Sequence, residues 1–192
     1  MGCDDAKRMA LGRQMRRLAA TKGRLSAAMS LEEQLKRARA EAQAKRFVTA
    51  EVLLRDLLKQ DPDNLAALDL LGFVSYFRGR PEQGEEACRR ALELSPDHAY
   101  AHKGLGLNIA KRGGDLDEAI ACILRAIELQ PEWFDPRWDL LVTLVDAERF
   151  DQARAELRRA RQELPDRSSQ WDQMEGEIQR RAAGVASEDG RG

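Results

Sequence analysis

The chain has 192 residues, 34% of them charged and 43% hydrophobic, with a formal net charge of −1, which fits one domain or one repeat array with tails. Its three cysteines, Cys3, Cys88 and Cys122, are odd in number and lack metal-ligand spacing, and no run of about 18 apolar residues offers a transmembrane helix. Residues 1–30 carry seven basic and two acidic groups, a net of +5, leaving the rest at −6; the larger part has no basic stripe for a nucleic-acid backbone, so nucleic acid is not expected as a partner.

The first segment, residues 1–30, places Leu11, Met15, Leu18 and Leu25 on roughly one helical face among arginines. Three readings of it stay open. It is a flexible basic arm or a helix docked on the first helices after it, a contact for a membrane or an anionic partner, or an upstream extension of a chain starting at Met29 with MSLEEQ. The opening MGC resembles an acylation site, but Ala6 stands where that pattern needs Ser or Thr. No secretory signal is visible.

From residue 31 onward, apolar residues recur three and four apart, as buried helix faces require. The pattern predicts helices over 31–45, 47–60, 65–78, 81–94, 99–112, 116–129, 134–147 and 150–163. Pro81 suits a helix start, where its missing N–H is harmless. Pro62, Pro96, Pro131 and Pro165 stop every second helix. After Pro165, Ser168 or Ser169 can cap a last helix over 168–182 whose stripe is Trp171, Met174 and Ile178. Residues 183–192 are small and polar and are expected to be a disordered tail.

The four stopping prolines stand 34, 35 and 34 residues apart. Twelve residues before each stand Ala50, Gly84, Ala119 and Ala153, all small, as a close helix crossing needs. Eight before stand Leu54, Cys88, Ile123 and Leu157, and five before stand Leu57, Ala91, Ala126 and Ala160. Twenty-four before stand Ala38, Gly72 and Leu141, with Gly106 once one extra residue at Gly113-Gly114 is allowed for. Glycine tolerates such an insertion in a turn.

These registers resemble the tetratricopeptide repeat (TPR) family, over about residues 31–182. The stretches LLGFVSYFRGRPEQGEEACRRALELSP and GLGLNIAKRGGDLDEAIACILRAIELQP lie nearest its pattern. The first unit departs at Arg37-Ala38 and Glu41, and the fourth has Leu140-Leu141 at the Leu-Gly step. The resemblance implies an all-α superhelical solenoid of four helix-turn-helix repeats, 31–64, 65–98, 99–133 and 134–167, closed by a capping helix, 168–182.

The resemblance also implies that the first helix of each unit lines a concave groove. Its second, fifth, ninth, twelfth and thirteenth positions are the groove positions. They are occupied by Glu32, Leu35, Arg39 and Gln43 in the first unit, and Ala66, Asp69, Phe73, Tyr76 and Phe77 in the second. The third offers Tyr100, Lys103, Leu107 and Lys111, and the fourth Asp135, Trp138, Val142, Val145 and Asp146. From these, Phe73, Phe77, Tyr100, Lys103, Leu107, Lys111, Trp138, Val142 and Asp146 form the expected partner-binding set. Phe73, Tyr100 and Trp138 are expected to share one surface as anchors, and Tyr76 to turn inward. One TPR subclass clamps a C-terminal carboxylate with Lys and Asn. Asp69, Phe73 and Leu107 at the matching positions argue against that here.

Catalytic chemistry has little to stand on. His98 and His102 are four apart but lack a third ligand nearby in sequence. Asp115, Asp117 and Glu118 favour the positive end of a starting helix. No phosphate loop, nucleophile elbow or zinc spacing is present. Cys88 and Cys122 are packing residues in second helices, natural in a reducing cytosol. The expectation is a non-enzymatic adaptor, scaffold or assembly chaperone, cytoplasmic and bacterial, with no cofactor and no metal. It holds an extended or helical segment of another protein. Alternatives are a self-assembling structural protein, a secretion-type chaperone, and a membrane-surface protein using residues 1–30.

Overall fold

The computed structural model describes residues 29–189, and within the last helix side chains only through residue 185. Of the basic segment 1–30, everything before Met29 lies outside the described residues. The helices are α1 Leu31–Gln43, α2 Phe47–Gln60, α3 Leu65–Phe77, α4 Pro81–Leu94, α5 Ala99–Lys111, α6 Leu116–Leu129, α7 Phe134–Asp146, α8 Phe150–Glu163 and α9 Ser168–Asp189. A 3-10 turn, Pro165–Arg167, joins the last two. No strand occurs among the described residues, and the architecture is an all-α solenoid of paired helices.

The helix starts and stops follow local chemistry. Ser30 and Glu33 form a reciprocal capping box at α1, Asn64 caps α3, and Asp115 caps α6 through the N–H groups of Asp117 and Glu118. Each first helix ends with one residue in the left-handed region: Lys45 at φ 58°, Gly79 at 66°, Gly113 at 71° and Glu148 at 59°. The next N–H then bonds back to the carbonyl five residues earlier, as from Arg80 to Ser75 and from Gly114 to Ile109. This is the Schellman closure, which satisfies carbonyls a helix end would otherwise leave bare. The added residue of the third repeat falls after this closure, before α6, and leaves it intact.

Pairs α1–α2, α3–α4 and α5–α6 cross where both partners are small. A Cβ on Gly72 would stand 2.5 Å from Cys88 Sγ, and one on Gly106 would stand 2.6 Å from the Ala119 carbonyl oxygen. Ala38, Ala50, Ala119 and Ala153 are fully buried. The helices α7 and α8 approach each other less closely than the helices of the other three repeats. Leu141, buried, stands at this crossing where the other units carry Ala or Gly.

The C-terminal helix closes the stack. Trp171, Met174 and Ile178 are buried with Leu140, Leu144 and Leu157. The Trp171 indole N–H donates to the Leu164 carbonyl at 2.9 Å. The expected disordered tail from residue 183 is corrected by the helix itself, which runs on to Asp189. Arg180–Ala183 are good helix formers, and extending a helix already anchored by packing costs little. Residues 190–192 lie outside the described residues.

Two stability predictions result. Ala119→Leu should overpack the α5–α6 crossing and cost roughly 1–3 kcal/mol, while the same change at exposed Ala121 should cost little; equal thermal melts would place the crossing elsewhere. Trp171→Ala should cost about 3–5 kcal/mol in denaturant titrations, against a small change for exposed Gln173→Ala.

Candidate functional site

The first helices α1, α3, α5, α7 and then α9 touch in succession, whereas α2, α4, α6 and α8 do not approach one another at backbone level. First helices therefore line the inner, concave side, and second helices splay outward. The outer side is bridged by long side chains instead. Arg90 reaches Asp63 at 2.6 Å and, one period on, Arg125 reaches Asp97 at 2.8 Å. Arg78 reaches buried Glu51 at 3.0 Å, and Arg112 reaches Glu85 at the equivalent place.

The aromatic residues fall into three groups rather than one strip. At the N-terminal end, Phe73 and Phe77 pack at 4.8 Å between ring centroids, and Phe77 stacks on Phe47 at 5.1 Å and 11°. Phe73 and Phe77 are 46% and 53% exposed. In the middle, Tyr100, 54% exposed, lies 4.4 Å from Trp133. At the C-terminal end, Trp138 packs on Phe134, which also meets Trp171.

Polar groups occupy the spaces between. Lys103 sits over the Trp133 ring at 5.0 Å and pairs with Asp139 at 3.1 Å. The Lys111 ammonium sits over Tyr76 at 5.2 Å. Burial first, and then the Asp139 and Asp146 carboxylates, push the Tyr76 hydroxyl up. Tyr76 is half-buried on α3 under Lys111 of α5, while its neighbour Phe77 is 53% exposed and stacks on Phe47 of a second helix.

Several expected residues lie deeper than the repeat positions imply. Trp138 and Leu107 are half-buried and pack on the C-terminal core, and Val145 is buried. Trp138, Val142 and Asp146 together line a cleft of 240 Å³ against Met174, Glu177 and Arg180 of α9. Asp146 is also 3.5 Å from Arg181. The remaining expectations, Phe73, Tyr100, Lys103 and Lys111, are placed on first helices with their reactive faces toward solvent or a groove neighbour.

Sequence reasoning missed Phe47, Trp133 and Asp139. Trp133 is the N-cap of α7, in a loop, and Phe47 opens a second helix. Neither occupies a groove register, although an aromatic residue in a polar loop was a visible signal. Asp69 accepts from or shares a proton with His98 Nε2 at 2.5 Å, and burial raises its carboxyl. His102 is engaged with the Pro96 carbonyl. Burial pushes the Cys88 thiol up to about 12, which leaves it unreactive. Among the described residues no three His, Cys, Asp or Glu side chains are grouped to hold a metal ion, and no helix is long and apolar enough to cross a membrane.

Tetratricopeptide repeat profiles match residues 41–107 and 100–132. The chain belongs to the tetratricopeptide repeat family. A stretch of 61 residues is 34% identical to the uncharacterized protein y4yS of Sinorhizobium fredii, taking in 32% of this chain and 34% of that one. The match thus spans about a third of that relative. Among solved structures, a MamA variant is 25% identical with a TM-score of 0.60, over 84% of this chain and 88% of that one. The thermophilic TPR protein TTC0263 of Thermus thermophilus has a TM-score of 0.65 at 22% identity, over 88% and 94% of the two chains, a likeness of fold. A variant of the O-GlcNAc transferase of Thermobaculum terrenum is 27% identical with a TM-score of 0.57, over 61% of this chain and 22% of the transferase. The repeat fold is a protein-interaction module, and generally not a catalytic one.

Burial is the leading cause that raises the Asp139 carboxyl above its usual value of 3.8, opposed by Lys103 and reinforced by Asp135. A carboxyl raised in the folded state gives stability that is full below 3.8 and is lost as pH rises through the folded value. Asp139→Asn removes this contribution. Its stability relative to the native chain should therefore increase as pH rises through the window just above 3.8, then level off. Denaturant midpoints of both proteins across that range test it; parallel pH profiles would refute it.

Proposed function

We propose that the concave face holds an extended or helical segment of another protein, and that the chain works without catalysis as an adaptor, scaffold or assembly chaperone of the bacterial cytoplasm. The observation that carries this reading is the exposure of Phe73 and Tyr100 on successive first helices. Large aromatic side chains left half in water on the inner wall of a solenoid are poor for solubility and good for binding. The charged residues between them, Lys103, Lys111, Asp135 and Asp146, fix the register of a partner more than they add affinity. The Sinorhizobium match supports a bacterial setting.

The three aromatic groups also refine how a segment would sit. A chain crossing the first helices meets Phe73, then the Tyr100–Trp133 pair, then the cleft beside Trp138. This is three separated apolar contacts rather than one continuous trough. Affinity would come from apolar side chains spaced along the partner, each entering one group.

Tyr100 gives the cleanest test, since its exposure separates binding from folding. Partner protein captured from the native host should bind Tyr100→Ala more weakly by about 2 kcal/mol or more. Circular dichroism and melting should be unchanged. Arg89→Ala on the outer side should leave binding intact. Loss of binding with Arg89→Ala and none with Tyr100→Ala would move the interaction to the convex face.

A further inference from the structure

The apolar residues left in water are not spread evenly. Val48, Phe73 and Phe77 are 58%, 46% and 53% exposed, and all three gather around Phe47 at the N-terminal end of the array. Phe47, Val48 and Phe77 share a shallow depression of 530 Å³ whose remaining lining is Lys45, Arg46, Thr49 and Arg78. No carboxylate belongs to it. Two of its cations are already paired, Arg46 with Glu41 at 2.6 Å and Arg78 with Glu51 at 3.0 Å, a carboxylate it shares with Arg55 and Arg80. Lys45 is not, and on the groove side Lys111 meets only the face of Tyr76, whose ring in turn packs on Phe77. Among the described residues neither lysine forms an ion pair. An apolar ridge is therefore bracketed by two uncompensated cations.

We propose that this corner is the primary anchor for the partner, and that the partner segment is acidic and amphipathic: aromatic or branched aliphatic residues seated on Phe47, Phe73 and Phe77, with Asp or Glu side chains on either side meeting Lys45 and Lys111. The inference rests on the groove reading and gives it a chemistry. Charge complementarity decides among occupants. The chain's own residues 1–28 are rich in Arg and Lys, so they carry the same sign as the corner and are disfavoured there. Internal carboxylate side chains are meant, not a chain-terminal carboxylate, because the corner lies at the edge of the groove and draws on a second helix.

The test is a random-peptide library displayed on phage and selected against the full chain. Recovered peptides should carry Asp or Glu flanking aromatic or branched aliphatic residues. Their affinity should fall about tenfold or more for Phe77→Ala, with circular dichroism unchanged because Phe77 is half in water. The double variant Lys45→Glu with Lys111→Glu should lose the acidic peptides and select basic ones instead. Basic or uncharged peptides from the native chain, an empty selection, or acidic peptides indifferent to both variants would overturn the inference. If acidic peptides are lost in Tyr100→Ala but tolerate Phe77→Ala and the lysine reversal, this anchor falls and the groove reading stands. Peptides indifferent to every first-helix variant remove both.

Discussion

The two helices of a repeat can come together only where side chains nearly vanish, and the rest of the molecule depends on that approach. Gly72 lies so near Cys88, and Gly84 so near Asn108, that an added methyl on either would overlap its neighbour. Asn108 is wholly buried there and donates to the carbonyls of Gly104 and Gly72, at 2.8 and 3.3 Å. A buried amide is costly unless it is bonded; the bond to Gly104 stays within its own helix, and the bond to Gly72 ties the third repeat to the second. Once that is set, the face that each first helix turns to its neighbours is set, and so is the face it turns to solvent.

The two sides of the solenoid then differ in how their charges are used. On the convex side, arginines and carboxylates meet across repeat boundaries, in pairs that recur one period apart. Most are exposed, and each alone contributes little. Glu51 is the exception, buried among Arg55, Arg78 and Arg80. Losing one of those arginines would leave a carboxylate short of compensation in a low-dielectric site. The concave side is less self-satisfied: Lys111 rests on a ring rather than a carboxylate, and aromatic faces stay in water. The concave face thus keeps charge and apolar surface that the convex pairs do not use.

How far the sequence could be read depends on which constraints are local. The period, the small crossings at Ala50, Gly84, Ala119 and Ala153, and the helix limits set by prolines and caps all act over a few residues, and each was legible. The groove was legible only as a set of positions. Positions twelve and thirteen of a repeat differ by about a third of a turn, so whether Tyr76 or Phe77 faces the cavity depends on the rotation of the helix against both neighbours. Phe47 and Trp133 join the surface from a second helix and a loop, where a register drawn from first helices does not look. Trp138 occupies a groove position, yet it is drawn inward because α9 and Phe134 offer it apolar surface. The tail misleads for a different reason: its small polar composition resembles a linker, but it continues a helix that Trp171 and Ile178 have already anchored.

The left-handed residues join these levels. All four first helices close with one such residue, and in the two middle repeats it is glycine, which adopts that conformation freely. At Lys45 it is not, and a residue with a Cβ held there costs roughly 1–2 kcal/mol relative to an ordinary conformation. Glycine would relieve the backbone and close the helix by the same two hydrogen bonds. What it could not do is place a cation beside Phe47 and Phe77, in a depression whose lining holds no carboxylate. Glu148 closes the fourth repeat in the same conformation, so the turn accepts a side chain at both ends of the array, and what Lys45 adds is its charge at that depression.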